Sequence, residues 1–201
     1  MTLKKRLELS VICGLVFSIL LSFSSFEASC NNVRRNVLRL HILANSDDTA
    51  DQKLKLTVRD AVLECSEELF SNATSLEKAK EVASESLDDI ERLANKIIKE
   101  NGYHYTAKAE LTNCYFNTRV YDNFTLPAGY YDAVRIKIGK AAGENWWCVM
   151  FPKVCLSAAG DIGDNLNSGG EEIVKNPQKY EVKFKTVEIY YSIREKISSW
   201  F

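Results

Sequence analysis

The N-terminal segment constrains this chain most, because an uncharged apolar run directly follows a basic cluster. Residues 4–6 are all Lys or Arg, and residues 9–26 contain no charged side chain. A run of this length lies between the core of a secretory signal peptide and a short membrane-spanning helix. Basic residues before such a run favour a cytoplasmic N-terminus and an exported remainder. We therefore expect residues 1–29 to be a targeting segment and residues 30–201 to form one extracytoplasmic globular domain.

Whether the targeting segment is removed stays open from the sequence. Ser22 and Ser24 provide the small residues that a signal peptidase requires for cleavage before Ser25. Cys30 raises the possibility of lipid attachment, but Glu27 stands where a lipoprotein signal carries an aliphatic residue. The segment is therefore either a cleaved signal peptide or an N-terminal anchor that holds the uncleaved protein on the membrane.

Composition excludes several classes of function for the exported part. The chain is 46% hydrophobic, and its 26 basic and 27 acidic residues leave a net charge of −1. A near-neutral folded domain has no electrostatic reason to bind nucleic acid. The two histidines leave little scope for a His-rich metal site, and no GxSxG or GxGxxG motif occurs. We expect no metal, no cofactor, no nucleic-acid partner and no small-molecule substrate.

The first half of the domain predicts a strand followed by two helices. Residues 37–44 alternate apolar and polar side chains, as in a half-buried strand with Arg39 and His41 on its outward face. Apolar residues at helical spacing then predict one helix that ends near Phe70. The capping-box residues Thr74 and Glu77 and the terminal pair Asn101-Gly102 predict a second helix within residues 74–101.

The second half is predicted to be rich in strands until its C-terminal part. Residues 105–111 and 134–138 alternate as amphipathic strands, whereas residues 146–151 are apolar on both faces, as in a central or doubly covered strand. The Gly-, Asn- and Asp-rich residues 160–170 predict a mobile loop, and helical spacing from Val187 onward predicts a C-terminal helix. The order of elements indicates an α/β (α+β) fold, a single compact sandwich with a mixed sheet, two consecutive helices after the first strand and a C-terminal helix.

The cysteines favour one structural disulfide. Cys148 and Cys155 bracket Pro152, whose missing amide proton favours a bend between them. An exported domain folds in an oxidising compartment, so we predict a bond between Cys148 and Cys155. Cys65 lies on the apolar face of the first predicted helix and is expected to be a buried thiol, with a bridge to Cys114 as the alternative.

Two adjacent tryptophans lie in the last predicted strand. Trp146 and Trp147 must point to opposite faces, because side chains alternate along a strand. One of them can fill the core. The other needs cover from the domain itself or from a partner, for which an exposed Trp would be a good anchor.

A charged stripe follows the first turn of the domain. Asp51, Lys55 and Arg59 recur every fourth residue of a predicted helix, beside the Asn45-Ser46 turn. An acid that precedes a base by four residues stabilises a helix by only about 0.2–0.5 kcal/mol. The stripe is therefore either an ordinary solvated face or a charged recognition surface.

Four blocks stand out along this sequence: LRLHILANSD (38–47), DQKLKLTVRDAV (51–62), LPAGY (126–130) and NWWCVMFP (145–152) followed by Cys155. Together these blocks resemble the stage II sporulation protein R family. The resemblance covers roughly residues 36–156, and residue 153 departs from it because Lys stands where the family usually has a second Pro.

The resemblance implies a sporulation signalling protein that is not itself an enzyme. Such proteins are exported from the forespore into the space between the forespore and mother-cell membranes. There they activate a membrane-embedded aspartic protease of the mother cell, which processes the precursor of the early mother-cell sigma factor. That receptor protease is the implied partner. Family-block membership and expected exposure select as partner-binding residues Asn45, Ser46, Asp51, Lys55, Arg59, Leu126, Tyr131 and Trp147.

Two other classes of function remain as alternatives. A secreted hydrolase that acts on cell wall or peptide would need His41 beside a carboxylate, in a cleft that perturbs its pKa. An adhesion or scaffolding domain at the membrane would need a retained anchor. Neither alternative has a diagnostic motif, so no catalytic residue is predicted.

Overall fold

The computed structural model describes residues 3–121, 123–152 and 162–198, which form a long N-terminal helix followed by an α+β domain. Short 3₁₀ turns cover Ile162–Asn165 and Pro177–Tyr180. The remaining elements are α1 (Leu3–Arg34), β1 (Leu38–Leu43), α2 (Thr49–Leu69), α3 (Leu76–Glu85), α4 (Leu87–Glu100), β2 (Ala107–Phe116), β3 (Arg119–Val120), β4 (Thr125–Leu126), β5 (Gly129–Ile138), β6 (Asn145–Phe151), α5 (Ser168–Lys175) and α6 (Glu181–Ser198).

A four-stranded mixed sheet with the order β2-β5-β1-β6 organises the domain. β1 runs parallel to β5 and antiparallel to β6, and β2 pairs antiparallel with β5. β3 and β4 form a separate hairpin. The predicted α+β fold with a mixed sheet is confirmed. Within the described residues β6 lies at an edge of the sheet, so its apolar residues 148–151 are explained by cover on both faces and not by a central position.

Strand β1 is buried on both faces, which corrects the expectation of a half-buried strand. Leu38, Leu40 and Ile42 face the helices α2, α3 and α4 and belong to the main hydrophobic core. Arg39 is fully buried and His41 is 6% exposed, although both were predicted to face solvent. Apolar and polar side chains do alternate along β1. The face with the polar side chains is nevertheless covered by a second layer, which contains helix α5 and the C-terminal end of α1.

The second predicted helix is divided into α3 and α4. Ser86 ends α3 and begins α4, and its amide bonds to carbonyls in the last turn of α3. α3 packs on β1 and β2, whereas α4 packs on β2 and α2. The N-cap of α3 is Ser75, which accepts a hydrogen bond from Lys78 N (3.3 Å), and not Thr74 as the capping-box pattern predicted.

The predicted loop at residues 160–170 contains the start of a helix that the sequence analysis missed. Asn167 caps α5 by accepting a hydrogen bond from Gly170 N (2.8 Å). A Cβ atom at Gly169 would lie 2.5 Å from Ser29 Oγ of α1, so glycine at this position lets α5 pack closely on α1 without displacing that hydroxyl. The glycines that suggested a loop therefore permit close helix packing. Residues 160 and 161 lie outside the described residues.

Helix α1 combines an exposed apolar half with a buried end. Its most apolar window has a mean hydropathy of 2.2, so within the described residues it is a helix that could cross a membrane by length and composition alone, a test that signal sequences also pass. Phe26, Cys30 and Val33 are buried in the domain. The predicted boundary between residues 29 and 30 thus falls inside one continuous helix. Cys30 is 0% exposed, an unsuitable position for an attached lipid.

Candidate functional site

The turn after β1 meets the loop that joins β5 to β6. β1 lies between these two strands and runs parallel to β5, so the C-terminal ends of β1 and β5 lie at the same edge of the sheet. Two backbone hydrogen bonds join the segments, from Gly143 N to Ala44 O (3.0 Å) and from Ala142 N to Asn45 O (3.2 Å). Asn45 Oδ1 also accepts a hydrogen bond from Lys140 N (2.9 Å). This edge is where the first family block and the charged stripe come together.

Asp51, in the first turn of α2, is the centre of the contacts at this edge. Its carboxylate accepts hydrogen bonds from Asn45 Nδ2 (2.7 Å), Ser46 Oγ (2.6 Å) and the hydroxyl of Tyr105. The residue is only 7% exposed. Burial alone would raise the pKa of Asp51, but the hydrogen bonds from Ser46, Tyr105 and Asn45 outweigh it and hold the pKa below its ordinary value. Asp51 therefore stays ionised and ties the turn to α2.

Lys55 is held in the same way, one helical turn later. Its ammonium donates hydrogen bonds to Gln52 Oε1 (2.6 Å) and to the carbonyl of Glu144 (2.9 Å), and the residue is 4% exposed. Burial lowers the pKa of Lys55, and the charges of Glu144 and Asp47 partly offset that change. Lys55 thus joins α2 to the β5–β6 loop. We call Asn45, Ser46, Asp51 and Lys55 the turn cluster.

Two glycines allow the loop to approach the turn cluster. Gly139 has φ +56°, and a Cβ atom there would lie 2.2 Å from Asn45 Oδ1. A Cβ atom at Gly143 would lie 2.2 Å from Ser46 O. Neither these glycines nor Tyr105 was predicted from the sequence to belong to the site. The spacing of the two glycines directly after a strand was the signal that could have indicated a tightly fitted loop.

The turn cluster unites four of the eight predicted partner-binding residues, but not as an exposed surface. The prediction that Asp51 and Lys55 are exposed is wrong, because both side chains are buried and their charged groups form hydrogen bonds within the domain. Asn45 and Ser46 are half-buried. The exposed side chains at this edge are Asp47, Asp48, Lys140 and Glu144.

Arg59 is the member of the charged stripe that keeps access to solvent. Its guanidinium pairs with Asp60 Oδ1 (2.6 Å) and lies over the ring of Trp146, 5.0 Å from its centroid. Its side chain is 25% exposed, whereas that of Asp60 is 65% exposed. Arg59 and Trp146 therefore form a half-exposed cation–π pair beside the turn cluster.

Leu126 and Tyr131 lie in the core, contrary to the expected exposure of this block. Both are 0% exposed, and Tyr131 donates a hydrogen bond from its hydroxyl to Pro127 O (2.7 Å). Arg34, at the end of α1, donates a hydrogen bond to Ala128 O (2.8 Å). The end of α1 thus covers the segment that the sequence pattern presented as a surface loop.

Trp147 and His41 pack together on the opposite face of the sheet from Trp146. Their rings stack with centroids 4.0 Å apart, and His41 Nε2 forms a hydrogen bond with Asn145 Oδ1 (2.8 Å). Burial lowers the pKa of His41 to about 4, the Asn145 hydrogen bond opposes this, and the cations Arg135, Arg39 and Lys137 add to it. The imidazole is therefore neutral near pH 7. Within the described residues, His41 forms no hydrogen bond with a carboxylate that would orient it as a general base.

Arg39 is a buried charge beside His41, although the alternation of β1 predicted that Arg39 faces solvent. Its guanidinium lies over the rings of Phe116 (3.9 Å) and Tyr131 (5.1 Å) and donates a hydrogen bond to the hydroxyl of Tyr121 (2.7 Å). Nε and Nη1 have no hydrogen-bond acceptor among the described residues. Burial lowers the pKa of Arg39, and Tyr121 opposes that change. We call Arg39 with these three rings the aromatic cage.

The states of the described cysteines test part of the disulfide prediction. Cys148 is disulfide-bonded. Its predicted partner, Cys155, lies outside the described residues, so the pairing stays a prediction. Cys65 and Cys114 are free, which excludes the alternative bridge between them, and Cys65 is half-buried, not fully buried. Among residues 3–121, 123–152 and 162–198, no group of three or more His, Cys, Asp or Glu could hold a metal ion.

Comparison with known proteins agrees with the sequence blocks. A family model described as Stage II sporulation protein R matches residues 34–161. The chain is 34% identical to Stage II sporulation protein R of Bacillus subtilis (strain 168) over 151 residues, which are 75% of this chain and 63% of the relative. The match therefore spans less than two thirds of that relative's length. No solved structure matches this chain.

Proposed function

This chain belongs to the stage II sporulation protein R family, and from that premise we propose that it is an exported signal that activates a membrane-embedded aspartic protease. It is a sporulation protein by family. In the proposed reaction the protease of the mother cell processes the precursor of the early mother-cell sigma factor. The chain acts by binding and makes no bond itself. Its proposed place is the space between the forespore and mother-cell membranes.

The family match carries this proposal, because it covers the turn cluster, the aromatic cage and strand β6 in one continuous range. Helix α1 supports it, since a helix of this length and apolarity is compatible with export or anchoring. The contacts of His41 support it further, because a neutral, stacked imidazole among cations suits packing and not hydrolysis.

A ligand activates a receptor by binding its active conformation more tightly than its inactive one. The turn cluster prepares this chain for such binding, because the turn after β1 is fixed by hydrogen bonds before a partner arrives. A pre-ordered surface loses little conformational entropy on association. The proposed contact surface consists of the exposed side chains around the turn cluster, Asp47, Asp48, Lys140 and Glu144, together with Arg59.

The test is reconstitution in a bacterium that does not sporulate. The receptor protease and the sigma-factor precursor are produced with or without this full-length chain, and precursor processing is followed by immunoblot. We expect processing only when the chain is present and exported. Equal processing without the chain would contradict the proposal.

A charge-reversal pair then tests the surface. Arg59→Glu is expected to lower the processing rate about tenfold, the consequence of losing ~1.4 kcal/mol of binding. Arg92→Glu is the matched control, because Arg92 is an exposed arginine on another helix, α4, that also pairs with an aspartate, and it should have no effect. Both variants should unfold at the temperature of the parent. Equal processing by the two variants would remove Arg59 from the contact surface and leave the activating role intact.

A further inference from the structure

The signal-peptidase cleavage site that the sequence predicts lies inside helix α1. Ser22 and Ser24 supply the small residues for a cut before Ser25, and all three fall within Leu3–Arg34. A peptidase takes its substrate as an extended segment, so a helical segment must unwind before its peptide bond can be cut. The contacts that hold this stretch of α1 helical therefore decide whether the bond is available.

Lys183 of α6 holds the N-terminal side of the cleavage site. Its ammonium donates hydrogen bonds to Ser22 Oγ (2.7 Å) and to the carbonyl of Ser22 (3.3 Å). It also lies 5.9 Å from the ring centroid of Phe23. Ser24 lines a cavity of about 490 Å³ between α1 and α6. Both small residues that a signal peptidase would recognise therefore lie beside α6.

Phe26 holds the C-terminal side of the same site. It is 2% exposed, stacks on the ring of Tyr180 with centroids 5.7 Å apart and meets the ring of Phe184 edge-on at 5.3 Å. Returning a buried phenylalanine to water is among the costliest changes that a single side chain can undergo. Unwinding residues 22–26 would expose Phe26 and break the hydrogen bonds of Lys183, so α6 stabilises this stretch of α1 on both sides of the bond.

The part of α1 after the cleavage site belongs to the folded domain. Cys30 is 0% exposed, and Asn32 Oδ1 accepts a hydrogen bond from Asn167 N (3.0 Å) at the start of α5. The guanidinium of Arg34 lies 6.0 Å from the ring centroid of Tyr191 on α6. A cut before Ser25 would therefore remove the apolar half of α1 and leave these contacts of the domain in place.

We propose that the docking of α6 on α1 withholds the Ser24–Ser25 bond from signal peptidase, so that cleavage has to precede folding. The cut is a hydrolysis, in which water adds across the bond and leaves a carboxylate on Ser24 and an amino group on Ser25. A chain that is cut before α6 docks is released from the membrane. A chain that folds first keeps its apolar helix and stays anchored.

This proposal goes beyond receptor activation, because it concerns how the chain itself is processed. The order of folding and cleavage would set the ratio of a released form to an anchored form of the same domain. Its test contains no receptor protease and no sigma-factor precursor. Failure of the activating role would therefore leave this proposal standing, and the reverse also holds.

The experiment uses the full-length chain, made uncleaved by cell-free synthesis in detergent micelles without signal peptidase. Purified bacterial signal peptidase is then added, and mass spectrometry follows the loss of residues 1–24. The double variant Lys183→Ala with Tyr180→Ala lacks the hydrogen bonds to Ser22 and the ring that stacks on Phe26. We expect it to be cut about tenfold faster than the folded parent, because cleavage follows the population of the unwound segment.

Three further variants make the result specific. Lys185→Ala is the matched control, because Lys185 is an exposed lysine of α6 that pairs with Glu188 of the same helix, and it should be cut as slowly as the parent. Lys183→Ala alone keeps the aromatic contacts of Phe26 and should be cut about threefold faster than the parent. Adding Ser24→Phe to the double variant should abolish the cut, because a large side chain stands next to the bond.

Two outcomes would overturn the proposal. Equal rates for the parent, Lys183→Ala and the double variant, whether fast or undetectable, would show that α6 does not control the bond. A cut that persists after Ser24→Phe is added would show that the Ser24–Ser25 bond is not the processing site. Thermal denaturation of each variant in the same micelles verifies that the domain is folded at the temperature of the assay, so that a faster cut reports local unwinding of α1.

Discussion

The turn cluster lies just after β1, and the aromatic cage contains Arg39 of β1 itself. Both bury charged side chains, but their charges are compensated in opposite ways. Asp51 has three hydrogen-bond donors and Lys55 has two acceptors, so every formal charge in the turn cluster is compensated by nearby polar groups. Arg39 has one hydrogen bond and otherwise faces Phe116 and Tyr131, with Nε and Nη1 lacking acceptors in the described residues.

Complete hydrogen bonding makes the turn cluster stabilising, whereas incomplete pairing makes the buried charge of the aromatic cage energetically costly. A buried charge with complete hydrogen bonding is destabilised strongly when one partner is removed, whereas a charge with incomplete pairing can be replaced by an apolar side chain at little cost. The turn cluster should therefore be sensitive to every substitution, and the aromatic cage should tolerate loss of its charge.

The largest effect is expected for Asp51→Ala. The substitution leaves Asn45, Ser46 and Tyr105 without their shared acceptor and should lower the free energy of unfolding by about 3 kcal/mol. Chemical denaturation of the purified protein measures it. Asp48→Ala is the control, because Asp48 is exposed and its side chain caps no amide of α2, and it should cost less than about 1 kcal/mol. Equal losses would show that the turn cluster is not a special source of stability.

Gly139→Ala should be the next most damaging change. A methyl group there requires a strained backbone at φ +56° and collides with Asn45 Oδ1, so the expected loss of unfolding free energy is about 2 kcal/mol. Combining it with Asn45→Ala should cost less than the sum of the two single changes, because the collision is relieved. Additive losses in this double-mutant cycle would contradict the close contact.

A smaller effect is expected from the titration of His41 beside the aromatic cage. Its pKa is about 4 when folded, against an ordinary value of 6.5, so the unfolded chain binds the proton first as the pH falls. His41 should therefore contribute stability that is present above pH 6.5 and lost as the pH falls through 4, on the order of 1 kcal/mol after solvent screening. Denaturation at several pH values should show a shallower slope in His41→Gln. An unchanged slope in His41→Gln would contradict this assignment.

The smallest change is expected for Arg39→Met. Methionine keeps most of the volume under Phe116 and Tyr131 and removes an incompletely paired charge, so the free energy of unfolding should stay within about 1 kcal/mol of the parent or rise. Arg39→Ala should lower it by about 2 kcal/mol through the cavity. A large loss in Arg39→Met would show that the cage depends on the charge itself.

The sequence predicted the elements whose patterns are local. The period-2 runs of β1, β2 and β5, the helical spacing of α2 and the opposed directions of Trp146 and Trp147 follow from backbone geometry alone. Local patterns failed where a distant segment changed the outcome. The glycines of α5 suggested a loop, whereas in the folded chain α1 packs against them. The break at Ser86 follows from the different surfaces on which α3 and α4 pack.

The site shows the same division. By itself the sequence determined which residue types lie at the end of β1 and that they belong to a family block. Only the tertiary structure decided that Asp51, Lys55, Leu126 and Tyr131 are buried while Arg59 keeps access to solvent. The physical reason is that alternation reports the polarity of side chains and not what covers them. The cover of β1 includes Phe116 and Tyr131, which are remote in sequence and meet the strand only after the chain has folded.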